Sequence, residues 1–523
     1  MGYDDLPMNW VGDWAGRRRQ LSPSRPALYD PDAGRRWTYA ELDQRAARVG
    51  GYLVNTLGLA KGDPVCFIGR NRVEPIDLYL AAGKTGIVLA PLSYRLAKPE
   101  LDDLLRRIQP KALVYEDCFA ELVESLERPA SISSSIVFGD GPCAYANQVL
   151  ASEPADVNVP LALNDPFLYI HTGGTTSTPK VCVVSHRQMV WNSVELTVCA
   201  PEGLAGRREL LIFPFFHIGG WNTFTPIFHN GGYTVVMRQF DPGAALELIE
   251  GEGINHLGAV EAMLKFMLDH PRFPQTDLSA LQGITTAAAP CSAATMKPFW
   301  DLGIPVGQAY GLTEGGPSNF VHGRLDESLD EIKAHHDSIG TSFFHCDYRI
   351  ADRETLEPVA PGEPGVLLLR SPHNFDGYLN EPERTEKMIR EGGWIYTGDL
   401  AREDADGFVY IVGRADNMFI SGGENVSPEE IEGVLTAHPE ISQAAVFGIP
   451  DERWGQVPMA VLVAARGTDP TEQSVRDFCE GRLARYRVPR RMVFADALPL
   501  TGAGKIDRNA ARRQHAPQEG AGQ

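Results

Sequence analysis

The chain has 523 residues, 43% of them hydrophobic and 22% charged, with a formal net charge of −20. That length exceeds one compact core and points to roughly two to four domains, and no apolar run approaches the ~18 residues of a membrane helix, so a soluble protein without membrane insertion is expected. The acidic balance opposes loose attachment to nucleic acid or anionic lipid, so a phosphate ligand has to be held by local groups.

Met1-Gly2-Tyr3-Asp4-Asp5 lacks the basic and apolar regions of a secretory leader, and cytoplasmic residence is expected. Thr38-Tyr39-Ala40-Glu41 ahead of Leu42 is a capping box, and a helix follows through about Leu57. Residues 64–69, 74–82 and 86–91 read strand, helix, strand, an alternation that predicts α/β layers. Gly83-Lys84-Thr85 ends like a P-loop, but Leu78 stands where the first glycine is needed, so this is read as a core helix closed by a glycine turn.

Residues 165–170 have the character of a buried strand and run into Thr172-Gly173-Gly174-Thr175-Thr176-Ser177-Thr178-Pro179-Lys180. Backbone N–H groups, hydroxyls and one ammonium there suit a phosphate cradle, although an ordinary polar turn has the same composition. Val306-Gly307-Gln308-Ala309-Tyr310-Gly311-Leu312-Thr313-Glu314 is a second polar cluster behind a strand, where Tyr310 can stack on a base and Glu314 can hold Mg2+ against phosphates. In Trp394-Ile395-Tyr396-Thr397-Gly398-Asp399-Leu400, Asp399 can accept both hydroxyls of a ribose or merely cap a turn.

The strand pattern Phe408-Val409-Tyr410-Ile411-Val412 ends near Gly413-Arg414-Ala415-Asp416, where a new compact unit is expected. Its elements are a helix opening at Ser427-Pro428-Glu429-Glu430 with Ser427 as cap, strands at 444–448 and 458–463, and a helix at 471–483. Thr501-Gly502-Ala503-Gly504-Lys505 presents a lysine on a glycine-flexed loop, and residues 514–523 are expected to fray. Eight cysteines without a C-x-x-C pair are expected to be reduced, buried and apolar in role, not zinc ligands. Neither a G-x-S-x-G elbow nor a G-x-G-x-x-G fingerprint after a strand is present, which removes serine hydrolases and Rossmann dehydrogenases.

In these segments the chain resembles the adenylate-forming superfamily of acyl-CoA synthetases, peptide-synthetase adenylation domains and luciferases, and most of all a stand-alone AMP-forming acyl-CoA synthetase. The resemblance runs from about Trp37 to Arg508. It rests on the 172–180 loop, Pro214-Phe215-Phe216-His217, Ala287-Ala288-Ala289-Pro290, Tyr310-Gly311-Leu312-Thr313-Glu314, Tyr396-Thr397-Gly398-Asp399, Gly413-Arg414, Ser421-Gly422-Gly423-Glu424-Asn425 and Gly504-Lys505, in the family's order and spacing.

The resemblance implies an α/β fold: a large multi-layer N-terminal adenylation domain with α/β sheets (1–413), a hinge at 414–416 centred on Asp416, a small mobile α+β C-terminal domain (417–513) and a tail (514–523). It implies ATP, CoA and Mg2+, and an acid–thiol ligase reaction in which a carboxylate takes AMP from ATP and the acyl group then passes to a thiol. Thr172, Gly174, Thr175, Thr176 and Lys180 would hold the leaving phosphates. Ala288 and Tyr310 would flank the adenine, Gly311 would belong to the same ATP/AMP site, and Thr313 would meet the α-phosphate, Glu314 the metal, and Asp399 with Arg414 the ribose. Lys505 would lie against the charge developing at the α-phosphate.

His217 would gate the acyl pocket from the thiol tunnel, with Gly219, Gly220, Trp221, Ala287 and Leu312 on the acyl side. Ser421, Gly422, Gly423 and Tyr486 would meet CoA. These acyl-side residues offer no Arg or Lys for a second carboxylate, so a hydrophobic monocarboxylic acid, fatty, aryl or terpenoid, is expected. Gly173, Ser177 and Val181 depart from the usual loop, where Ser, Gly and Gly stand, and the Cβ atoms of Ser177 and Val181 restrict backbone angles there. Glu261 stands where proline is usual, facing solvent or a substrate hydroxyl. The alternatives are a ligase that loads the phosphopantetheine of an acyl carrier protein, and a nucleotide-binding homologue without catalysis, which the retention of Lys505, Glu314 and Asp399 opposes.

Overall fold

The computed structural model describes residues 2–172, 179–200, 203–322, 327–421, 424–451, 453–500 and 506–517. Gly173, Gly174, Thr175, Thr176, Ser177, Gly422, Gly423 and Lys505 lie outside them. The chain packs as two compact units, Met1–Tyr348 with Leu369–Ile395, and Arg349–Leu368 with Tyr396–Gln523. Both are mixed α/β, and among the described residues no helix is long and apolar enough to cross a membrane.

In the first unit the capping box forms, Thr38 N donating to Glu41 Oε2 at 2.8 Å and Glu41 N to Thr38 Oγ1 at 3.3 Å. It starts α1 (Tyr39–Gly51), which a π-helical turn prolongs over Tyr52–Thr56. Then come β1 (Pro64–Ile68), α2 (Val73–Thr85) and β2 (Val88–Pro91), with the two strands parallel as a crossover helix requires. Helix α2 is buried throughout and closed by Gly86 at φ 73. Lys84 is sealed inside, its Nζ 2.6 Å from both the Asp13 and Asp43 carboxylates, which accounts for its charge without a phosphate.

β3 (Pro166–Thr172) and β4 (Lys180–Ser185) form an antiparallel hairpin in which Thr172 is the register partner of Lys180. Val181 is fully buried with Ile68, Ala90 and Tyr115, so the side chain that departs from the family's glycine is spent on the sheet's core. After α3 (His186–Val198), β5 (Arg208–Leu211) and α4 (Ile218–Asn230), the strands β6 (His256–Ala259) and β7 (Gly283–Thr286), the helix α5 (Ala293–Asp301) and β8 (Val306–Tyr310) follow. Strands β5 to β8 lie side by side and parallel within a nine-stranded sheet. β9 (Gly377–Tyr378) pairs antiparallel with β4, giving a second sheet that runs β9-β4-β3-β2-β1 and onward.

β10 (Trp394–Glu403), all but its first two residues in the second unit, pairs antiparallel with β11 (Val409–Arg414). β11 runs past Val412 because Gly413 has no Cβ: one there would lie 2.1 Å from Ser427 Oγ. After β12 (Phe419–Ser421), helix α6 (Pro428–Thr436) starts at Ser427 as expected. The Ser427 hydroxyl nevertheless does not cap it, donating instead to Val412 O at 2.8 Å. β13 (Ile441–Asp451) and β14 (Gly455–Ala464) are longer than the sequence suggested, since each pairs along nearly its whole length with the other. α7 (Glu472–Cys479) begins on its Thr471 cap and stops short of 483, with Gly481 following at φ 74. Residues 514 and 515 close a terminal helix, Arg508–His515, instead of fraying.

All eight cysteines are free thiols; Cys66, Cys182, Cys291, Cys346 and Cys479 are buried, but Cys118 is exposed and Cys143 and Cys199 are half-buried.

Candidate active site

The mouth of the β3–β4 hairpin brings together groups from distant parts of the first unit. Lys180 Nζ lies 5.2 Å from the centre of the Tyr378 ring, and the Tyr378 hydroxyl donates to Glu314 Oε1 at 2.7 Å. Phe375 N donates to Glu314 O at 3.0 Å, and Gln188 Nε2 donates to Thr313 O at 2.7 Å. The loop behind β8 is thereby tied by two hydrogen bonds to β9 and the turn before it, beside the strand that carries Lys180, and by a third to α3. Gly311 makes that loop possible, since a Cβ there would sit 2.1 Å from Pro317 O.

Burial, reinforced by the Glu314 carboxylate, pushes the Tyr378 phenol far above its ordinary value, so it stays a donor. The same two causes hold the Cys182 thiol protonated, 4.0 Å from Thr172 Oγ1. Glu314 is 8% exposed and keeps Oε2 as a hard oxygen beside the one Tyr378 occupies. Among the described residues no three His, Cys, Asp or Glu side chains gather as a metal cage. A single carboxylate suits Mg2+, which takes most of its ligands from water and substrate phosphates.

At the carboxyl end of β7, Ala287 is half-buried and Ala288 exposed at φ 73. A residue with a Cβ pays roughly 1–2 kcal/mol for that left-handed conformation, and strain of this kind gathers where a ligand is clamped. His217 is half-buried just before α4, with Gly219 under the Phe213 ring. Gly220 and Thr313 are buried, while Tyr310 and Leu312 are half-buried, the Tyr310 ring edge-on to Phe320 at 6.1 Å.

Two readings change. Trp221 is fully buried, stacked between Tyr79 at 4.4 Å and Phe215 at 4.3 Å, so it backs the site from the core and does not line a pocket. Glu261 keeps 23% of its side chain exposed, but its Oε1 is engaged inside the protein: it accepts from Ser292 N at 3.0 Å, Ser292 Oγ at 2.6 Å and Thr295 Oγ1 at 3.0 Å, with Lys265 Nζ at 3.2 Å. Burial raises its pKa, but those donors and Lys265 outweigh burial and leave it below the ordinary carboxylate range. Glu261 therefore fixes the start of α5.

In the second unit Asp399 is 9% exposed and Arg414 Nη1 donates to its Oδ1 at 2.8 Å, the two being register partners on β10 and β11. Thr397 Oγ1 steadies the turn by accepting from Asp399 N at 3.0 Å. Asp416 Oδ2 lies 3.9 Å from Arg414 Nη2. Ser421 is buried at the end of β12, and Tyr486 is half-buried against the unit's core with Arg487 5.3 Å from its ring.

Sequence reading missed Tyr378, Gln188 and His171. The first two reach the β8 loop across 64 and 125 positions, a distance no local pattern reports. His171, beside Thr172, accepts from Ser93 N at 3.1 Å and is held down to about 3 by burial and the nearby His217.

Family profiles described as AMP-binding enzyme and AMP-binding enzyme C-terminal domain match residues 16–379 and 430–505. A feruloyl-CoA synthase of Amycolatopsis sp is 34% identical over 505 residues, covering 96% of this chain and 99% of its own. An indoleacetate–CoA ligase of Aromatoleum aromaticum is 32% identical over 508 residues, covering 96% and 98%. The ATP-bound structure of MatB from Rhodopseudomonas palustris matches with a TM-score of 0.87 at 27% identity, over 96% of this chain and 98% of that one.

Proposed function

Since the chain belongs to the AMP-binding enzymes and is an acid–thiol ligase, we propose that it activates a hydrophobic monocarboxylic acid with ATP and transfers the acyl group to CoA. The carrying observation is that Tyr378 holds Glu314 at 2.7 Å while its ring meets Lys180, setting an acid suited to Mg2+ and a cation at one hairpin mouth. Relatives named for feruloyl-CoA and indoleacetate support an aryl acid.

Carboxylate and triphosphate are both anions, and the site has to offset their repulsion. Thr172 and Lys180, with Gly174, Thr175 and Thr176, hold the pyrophosphate that leaves. Mg2+ on Glu314 would supply positive charge to the phosphate oxygens. A carboxylate oxygen attacks the α-phosphorus, the bond to pyrophosphate breaks, and acyl-AMP remains with Thr313 and Lys505 against the developing charge. Ala288 and Tyr310 flank the adenine, with Gly311 in the same nucleotide site, and Asp399 with Arg414 holds the ribose. The CoA thiol then enters past the His217 gate, its sulfur attacks the acyl carbon as its proton leaves, and AMP departs. Asp416 serves as the hinge between steps, Lys505 serving the first and Ser421, Gly422, Gly423 and Tyr486 the second.

The test is ATP–pyrophosphate exchange across fatty and aryl acids with Mg2+, followed by mass spectrometry of thioesters made with CoA and with a phosphopantetheinylated carrier protein. Exchange that depends on the acid, with acyl-CoA as product, is expected. Silence over the whole panel refutes the ligase reading, and a product on the carrier protein alone reassigns the acceptor.

A further inference from the structure

One face of the nine-stranded sheet carries a polar relay for which the reaction above has no use. Register sets Glu209 on β5 beside His256 on β6 and Gly283 on β7; one row nearer the carboxyl ends, Gly258 on β6 lies beside Thr285 on β7 and Gly307 on β8. Residues level with one another in a sheet, and residues two apart along a strand, share a face. The opposite face is sealed by Leu210, Leu257, Ile284 and Val306. Thr285, Gly258 and Gly307 stay half-buried; the glycines add no side chains to this face, and His322 lies over Gly307, its Cβ 2.7 Å from where a Gly307 Cβ would stand.

The relay has a direction. His256 Nδ1 is 2.8 Å from Glu209 Oε2, and its Nε2 is 3.0 Å from Thr285 Oγ1. Glu209 also accepts from Gly258 N at 3.1 Å. An ionised carboxylate only accepts, so Nδ1 bears the imidazole proton and Nε2 has only its lone pair to offer. Burial, with Arg207 adding to it against the pull of Glu209, lowers the His256 pKa and keeps the ring neutral. The Thr285 proton is therefore committed to Nε2, and its oxygen presents lone pairs to whatever lies above it.

The relay sits next to the acyl-side residues. A Cβ on Gly258 would lie 3.0 Å from Phe213 Cε2, and one on Gly219 would lie 3.6 Å from Phe213 Cγ, so a single ring spans both. Thr285 shares its face with Ala287 and lies roughly 7 Å inward from it along the strand.

We propose that Thr285, positioned by His256 and Glu209, is a specificity-determining acceptor for one hydroxyl or N–H donor at the far end of the acyl group, making the preferred acid an apolar monocarboxylate with a donor at its tip. This rests on the acyl-activating function above. Matched acids differing only in that hydroxyl, cinnamic against 4-hydroxycinnamic and octanoic against 8-hydroxyoctanoic, are compared by kcat/KM for pyrophosphate exchange. The wild type should favour the hydroxylated member by about tenfold or more, since a site built around a hydroxyl rejects the analogue lacking it. Thr285→Val should erase the preference by lowering only the hydroxylated acid, Thr285→Ser should retain it, and Glu209→Gln should narrow it while the plain acid is unmoved. An unchanged preference in Thr285→Val, or none in a wild type that turns over the plain acids, overturns the assignment and leaves acyl activation standing. Exchange with no acid at all overturns both.

Discussion

The Tyr378 hydroxyl donates to Glu314 Oε1 at 2.7 Å, joining the edge of one sheet to the loop that leaves another. A hydrogen bond to a charged group contributes about 1.5–3 kcal/mol, which is roughly tenfold to a hundredfold in an equilibrium or rate. Tyr378→Phe should therefore lower kcat/KM for adenylation by about tenfold and raise the Mg2+ concentration needed for half-maximal exchange. Exchange measured over a Mg2+ titration decides it; an unaltered metal requirement would show that Tyr378 only packs.

Arg414 is 41% exposed on its side chain, and Asp399 is 12%. Screening at that exposure makes the pair a weak contributor to stability, about 0–1 kcal/mol. Its geometric role predicts that Arg414→Ala raises the KM for ATP about tenfold or more while the melting temperature barely moves. A fall in melting temperature with an intact KM would assign the pair to the fold.

Ala288 and Gly311 should respond in opposite ways. Ala288→Gly removes left-handed strain at the cost of a looser unfolded chain, so stability should rise by up to about 1 kcal/mol while adenylation falls. Gly311→Ala places a Cβ 2.1 Å from Pro317 O and should displace Thr313 and Glu314, with activity lost. Denaturant titration beside the exchange assay reads both.

Acid should weaken the protein well above the carboxylate range. Burial holds His171, His186 and His373 down to about 3 and His229 down to about 4, against an ordinary 6.5. Between those limits the unfolded imidazoles are protonated and the native ones are not. The unfolded chain then binds more protons, and stability, fully present above 6.5, drains away as pH falls toward the native values. Each histidine contributes up to about 1.4 kcal/mol per pH unit in that window. His186 stacks on Phe167 at 4.2 Å, so His186→Phe should keep the packing and flatten the slope between pH 6.5 and 4.5, read by urea denaturation at stepped pH.

What could be read from the chain followed interaction range. The Thr38–Glu41 box spans three residues and forms as written, and the strand read at 165–170 forms as Pro166–Thr172. Ser427 carries the same cap signature, yet Val412, 15 positions away, takes its hydroxyl. Glu261 could be read as facing solvent or a substrate hydroxyl, but not as the anchor of Ser292 and Thr295, because these lie 31 and 34 positions on. Trp221 followed a gate motif, but Tyr79 from α2 determines where its ring goes. A motif names which groups are present, and tertiary partners decide which of them face the ligand.

The ends of the 173–179 connection are fixed by groups outside it: Thr172 and Lys180 by strand register, Pro179 by Arg107 Nη2 on its carbonyl at 2.6 Å, and Val181 by the core. A substitution at Lys180 or Val181 is therefore answered first by strand register and by the core, and one at Arg107 reaches the same hairpin from outside the sheet.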